Sequence, residues 1–316
     1  MEHFLFAMQA VFPTACFLFL GRICKKAGVF TEEFLNQGNK LCFSLLFPIL
    51  VFCNLYQGRG DDIGFKGYRS VIIFAYGMIF VSSGISMLLV PRVIKEKKRI
   101  PVFIQSIYRG NFMLYGLPFS EVLGGQECLM IATTMTAATL PILNVIAILQ
   151  FSYYSGEVCC WKGIIRRIIG NPILWGVLLG LLFQKVNWNI PYILEISLSD
   201  LAQIATPLAF LILGGSFQFD LNGRFHKDLL SILFLKLLIL PMVFLPFCLF
   251  IMKMEKMELI PVFIFLAAPT AVTTYQLAVQ YDADTKLAGD AVIYSLLFSM
   301  VTIFILIVLL KTFGFI

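Results

Sequence analysis

The stretch Asn111-Phe112-Met113-Leu114-Tyr115-Gly116-Leu117-Pro118 decides how this chain is read. It lies inside an apolar segment running roughly from Ile100 to Leu123. That is long enough to cross a bilayer as a helix, at about 20 residues per crossing. An Asn, a Gly and a Pro nonetheless fall close together within it. Pro118 has no N–H and crowds the preceding turn, while Gly116 removes side-chain restraint just before it. The reading is a helix broken by Pro118 at mid-membrane. Its freed peptide groups must face protein or a wet cavity, because lipid cannot satisfy them. A second stretch, Ala267-Ala268-Pro269-Thr270-Ala271-Val272-Thr273-Thr274, interrupts the apolar segment near Leu259–Val279 in the same manner. The two are read as walls of one binding site.

The surrounding composition is that of a membrane protein. Of 316 residues, 59% are hydrophobic and 13% charged, with mean hydropathy +0.90; a soluble domain carries about 25% charged residues. Ten spans are expected, at roughly 4–22, 39–57, 69–91, 100–123, 127–150, 168–186, 191–216, 227–252, 259–280 and 286–311, with no separate soluble domain. Glu2 precedes the first apolar run and Arg22, Lys25 and Lys26 follow it, the reverse of a cleavable secretory signal. Loops after odd-numbered spans hold 14 basic residues and those on the other side 7. The positive-inside rule then places the odd loops in the cytoplasm and both termini outside, in a cell (inner) membrane. The net charge of +6 is spread over these loops with no basic stripe, so nucleic-acid binding is not indicated. Eight cysteines show neither a disulfide framework nor a metal-ligand spacing. No cofactor or metal is expected.

Internal repetition follows from the prolines. Pro13 and Pro172 are 159 residues apart, Pro48 and Pro207 likewise, and Pro118 and Pro269 are 151 apart. The fold expected is therefore all-α, ten transmembrane helices in two five-helix halves, residues 1–155 and 160–316. An odd number of spans inverts the second half. Inverted repeats with interrupted helices at matching positions are the build of secondary transporters.

Several side chains could serve such a site. Half-helix N-termini beside Pro118 and Pro269 would favour an anion, a carboxylate being the natural guest. Asn111 offers amide donors and an acceptor beside the break. Asn144 and Asn171 are further amides, though Asn171 before Pro172 also reads as a plain N-cap. Thr270, Thr273 and Thr274 supply hydroxyls, or simply bond back to the preceding turn. Tyr115 and Gly116 would wall the substrate, with an ordinary packed ring as the alternative for the tyrosine. Lys236 sits in mid-span, where a cation is costly and points to function. It could attract the anion or stand where a coupling cation sits elsewhere, with Asp290 as a possible partner; snorkelling to an interface is the equal alternative. Glu121 could carry a proton, as could Asp290, although solvated helix ends are the plainer account of both. Enzyme chemistry has no foothold: the two histidines lie at span ends, and no HExxH, GxSxG or phosphate-cradling motif is present.

These pieces resemble the auxin efflux carrier family, which includes plant auxin carriers and bacterial malonate- and malate-type carriers. The similarity rests on Asn111 through Pro118, Asn171-Pro172, Ala205-Thr206-Pro207-Leu208-Ala209 leading to Gly214-Gly215, Ala268-Pro269-Thr270-Ala271, and Gln280-Tyr281-Asp282-Ala283-Asp284. It spans almost the whole chain, without the large central loop of many plant members. The resemblance implies crossed, broken helices 4 and 9, a scaffold part, a mobile transport part, alternating access and a homodimer. The expectation is a secondary or potential-driven carrier of small organic anions, with proton or sodium coupling left open. The alternatives are a sodium-coupled bile-acid-like symporter and a transporter-like ligand sensor.

Overall fold

The computed structural model describes residues 2–57, 68–156, 169–170, 172–216 and 227–316. The described residues are helical, with no strand beyond a single isolated bridge. In chain order they form α1 (Glu2–Lys26), α2 (Glu32–Leu41), α3 (Phe47–Gln57), α4 (Arg69–Val93), α5 (Ile100–Tyr108) and α6 (Phe112–Ser155). There follow α7 (Pro172–Val186), α8 (Tyr192–Ser216), α9 (Lys227–Phe234), α10 (Leu240–Pro246), α11 (Lys256–Ala267), α12 (Val272–Gln280) and α13 (Thr285–Thr312).

Three wide π-turns, Cys42–Leu46, Leu235–Ile239 and Phe247–Ile251, join α2 to α3, join α9 to α10, and extend α10. The first two lead into Pro48 and Pro241. A proline ring crowds the carbonyl four residues before it, and widening the turn relieves that clash. The α6 segment is two helices in one: Gly125 sits at φ 69, ψ −158, a conformation only glycine adopts cheaply. The second apolar stretch starts earlier than its composition suggests, at Glu32, because Thr31 Oγ1 accepts the Phe34 N–H at 3.1 Å and caps the polar first turn.

Among the described residues, six stretches are long and apolar enough to cross a membrane: Glu32–Tyr56, Arg69–Val93, Phe112–Ser155, Tyr192–Ser216, Lys227–Ile251 and Thr285–Thr312. Burial runs as a bilayer requires. On α4, Ser82, Ser83 and Ser86 are buried, whereas Phe80 and Leu88 are 55% and 64% exposed. Polar side chains turn inward and large apolar ones outward, the arrangement lipid selects. The protein is a multi-pass membrane protein.

The chain divides into two compact units, one of Met1–Ala7, Tyr68–Ile165 and Leu221–Ile316, the other of Met8–Gly67 and Arg166–Asp220. Each draws on both the sequence halves 1–155 and 160–316. In the second unit, helices meet backbone to backbone. A methyl at Gly21 would lie 2.0 Å from the Leu211 carbonyl oxygen, and one at Gly214 2.0 Å from that of Leu18. Small residues permit this approach where lipid gives helices no hydrophobic reason to associate. A cavity of about 800 Å³ in this unit, lined by residues such as Pro48, Phe52, Trp175, Phe183 and Trp188, holds none of the candidate site residues that the structure describes. The first unit holds all of the candidates that the structure describes.

Candidate functional site

Two helices stop and restart at one place in the first unit. Helix α5 ends with Arg109 extended, and α6 begins after Asn111; α11 ends at Ala268, and α12 begins after Ala271. The gaps pair with each other. Gly110 and Thr270 form an antiparallel bridge, in which the Asn111 N–H donates to the Pro269 carbonyl at 2.7 Å and the Ala271 N–H to the Arg109 carbonyl at 3.1 Å. Each break thereby satisfies peptide groups of the other, as backbone buried away from water requires. Thr270 is pinned twice more. Its N–H donates to Ser295 Oγ on α13 at 2.9 Å, and its Oγ1 donates to the Ser106 carbonyl at 3.1 Å.

The break in the first helix is therefore at Arg109–Asn111, and the expectation for Pro118 is corrected. Pro118 lies well inside α6, which continues through it. Losing one N–H weakens a helix, but packing over the buried residues Phe112–Leu117 holds this one together. Pro269 does lie in its break. Gly116 is required by packing: a Cβ there would meet the Phe112 ring at 2.3 Å. Tyr115 is a fully buried ring stacked on Phe119 at 5.7 Å.

Only two charged side chains are buried among the described residues, and both are cations at this crossing. Lys236 is 0% exposed, and its Nζ has no hydrogen-bond partner. It sits in the π-turn Leu235–Ile239, and a methyl on Gly110 would lie 3.2 Å from Nζ and 3.1 Å from Ala268 Cβ. No bond joins it to Asp290, which is half-buried on α13. Arg109 is 3% exposed and donates from Nη2 to Asn144 Oδ1 at 2.6 Å and from Nη1 to the Leu143 carbonyl at 3.2 Å, both neutral acceptors. Asn144 thus orients the guanidinium. Polar atoms without partners cluster on the same elements: Ser106 Oγ on α5, and Thr273 Oγ1 and Thr274 Oγ1 in the first turn of α12. Elsewhere hydroxyls bond back along their helix, as Thr133, Thr136 and Thr139 do in α6; Thr273 and Thr274 do not. Asn111 is half-buried and makes no side-chain cap bond, so its amide is free of that duty. Glu121 is exposed. Asn171 lies outside the described residues.

Two further contacts hold the arms in place. Gln150 accepts at Oε1 from Gln105 Nε2 at 2.7 Å and from the Tyr108 hydroxyl at 2.8 Å, and donates to Ser83 Oγ at 2.7 Å, tying α5 to α6 and α4. Just before α5, Arg99 bonds Glu96 at 2.9 Å, and Asp228 and Asp284 at 3.0 Å each. Asp284 caps α13 through the Leu287 N–H at 2.9 Å. One guanidinium therefore clamps the starts of α5, α9 and α13, the elements that carry Gly110, Lys236 and Ser295 to the crossing.

The sequence reading missed Arg109, Gly110, Ser106 and Ser295 as site residues. A signal was present: Ile-Pro-Val-Phe-Ile occurs at 100–104 and again at 260–264. That spacing of 160 matches Gly110 with Thr270, and it relates the two bridging hydrogen bonds to each other.

Residues 159–307 match the family model described as "Membrane transport protein". The resemblance to auxin efflux carriers stands. The matched part contains Lys236 and the Pro269–Ala271 arm of the crossing. The chain is also 24% identical over 301 residues, 95% of its own length and 97% of the other's, to an "Uncharacterized transporter" from Methanothermobacter thermautotrophicus. Both comparisons point to transport.

Proposed function

We propose that this transporter carries small organic anions, carboxylates above all, and binds them where the two broken helices cross. One observation carries the reading: the only buried charged side chains among the described residues are two cations flanking this crossing. The same two broken helices carry the unpartnered hydroxyls of Ser106, Thr273 and Thr274. The first turns of α6 and α12 add N–H groups and positive dipole ends. A carboxylate would accept from all of these and neutralise charge that lipid and protein otherwise leave uncompensated. Asn111, at the start of α6, would grip the same group. A sodium-coupled symporter needs acidic or carbonyl ligands at this point, and buried ammonium and guanidinium groups oppose them.

The architecture that serves this function is ten spans in a 5+5 inverted repeat. The 159–160-residue spacing supports it in both compact units: Pro13 with Pro172, Pro48 with Pro207, and residues 100–104 with 260–264. Under the same shift the close approach of Gly21 to Leu211 matches that of Gly180 to Phe52. Odd-numbered loops face the cytoplasm in this reading. Alternating access then exposes the crossing to each side in turn, with a homodimer as the working assembly.

The test is uptake by purified protein in proteoliposomes across malonate, succinate, indole-3-acetate and a neutral amino acid, with an imposed membrane potential. Saturable uptake of at least one carboxylate, and none of the amino acid, is expected. Uptake of the neutral solute alone, or of no solute, would contradict the reading.

A further inference from the structure

The crossing has a consequence for how the carrier cycles, and it rests on the anion reading above. Lys236 Nζ is fully buried and bonded to nothing, and Arg109 is bonded only to neutral oxygens. Neither belongs to an ion pair among the described residues. The acids facing this region from the packed helices are few. Asp290 is the acidic residue of α13 and does not reach Lys236, while Glu258 of α11 accepts from Ser70 instead. The empty site is thus a buried, uncompensated positive centre.

We infer that the transporter works as an anion exchanger: it reorients readily with an anion bound and slowly when empty. Charge without a counter-ion is expensive to hold in a low-dielectric interior, and that expense grows when closure removes the last access to water. A bound carboxylate removes it. Gly110 lets the backbone bridge pass close to Lys236, where a methyl would lie 3.2 Å from Nζ. The loaded site therefore crosses the membrane neutralised at Lys236, whereas the empty one crosses with its ammonium exposed to nothing but protein. Anion on the receiving side supplies the return cargo and bypasses the slow step.

The experiment uses the full chain in proteoliposomes loaded with radiolabelled malonate, with potential held at zero by potassium and valinomycin. Efflux is measured into malonate-free buffer and into buffer with unlabelled malonate. Acceleration of about tenfold or more by external malonate is expected, corresponding to about 1.4 kcal/mol of barrier. Lys236→Arg keeps the charge and should keep the acceleration. Lys236→Met should bring the ratio close to one while still moving malonate at higher concentration. Equal efflux into both buffers for the wild type overturns the inference, and so does full acceleration in Lys236→Met. The wild-type comparison decides even where the Met variant does not fold. If malonate is not carried, succinate and indole-3-acetate replace it. Failure of all three contradicts the carrier reading itself, a result distinct from transport without acceleration, and the exchange inference falls with it.

Discussion

Replacing Lys236 by Met should make the transporter more stable and a worse binder. The ammonium is 0% exposed and has no hydrogen-bond partner, so the folded state carries its desolvation without return. A lysine at the centre of a membrane helix costs about 2.5–3.5 kcal/mol on insertion scales. Methionine has similar length and no charge to bury. Removing the charge should stabilise the empty protein by about 2 kcal/mol, or about 4 °C in Tm for a chain of this size. The same substitution removes one charge-assisted hydrogen bond to the anion, worth about 1.5–3 kcal/mol. That corresponds to a Kd raised about 10- to 150-fold. Thermal unfolding in detergent, with and without malonate, reads both effects in one assay. The variant should melt higher alone and gain less from malonate than the wild type does. A variant that melts lower and keeps the full malonate shift would show that Lys236 is a satisfied structural residue, and the reasoning would fail.

Gly110→Ala places a methyl 3.1 Å from Ala268 Cβ and 3.2 Å from Lys236 Nζ. Overpacking of this kind costs about 1–3 kcal/mol, and transport in proteoliposomes should fall at least tenfold while the protein still inserts and purifies. Asn111→Ala should weaken transport through a higher KM with melting unchanged within about 1 °C, since its side chain makes no cap bond; an unaltered KM would remove Asn111 from the site. Arg99→Met should lower Tm by about 2 °C in low salt, because Arg99 is only 30% exposed and joins three helix starts, although each exposed pair is worth less than about 1 kcal/mol. The difference should shrink in high salt as screening weakens the wild-type cluster; a salt-independent difference would contradict the electrostatic origin.

The sequence made the class of fold plain because bilayer constraints act on composition and length, which need no partner to be read. It also located the second chain interruption at Pro269, since Asn, Gly and Pro are rare inside apolar spans. The first break was assigned to Pro118 when it lies at Arg109–Asn111. A missing N–H is visible locally. The true break is held open by a bridge to Thr270, 160 residues away, and no single stretch announces such a bond. The repeated Ile-Pro-Val-Phe-Ile was the available clue, and it aligns the breaks where the proline pair 118 and 269 does not. Lys236 was legible as an anomaly in mid-span. Arg109 also falls within the expected 100–123 span, but its burial was not legible there. Its burial depends on Asn144 and Leu143 coming round from α6. Tyr115 and Gly116 were drawn into the site by proximity in sequence, whereas their helix turns them into packing against Phe119 and Phe112.

The claim that the crossing of the two broken helices is the substrate site can be tested with one cysteine. Thr273→Cys, in a background where the native cysteines are replaced, puts a thiol at the first turn of α12. Its rate of modification by a negatively charged methanethiosulfonate reagent is measured from each side of oriented proteoliposomes, with and without saturating malonate. Modification from both sides and protection by malonate are expected. A thiol reached from one side only, or modified at the same rate with malonate present, would contradict the claim.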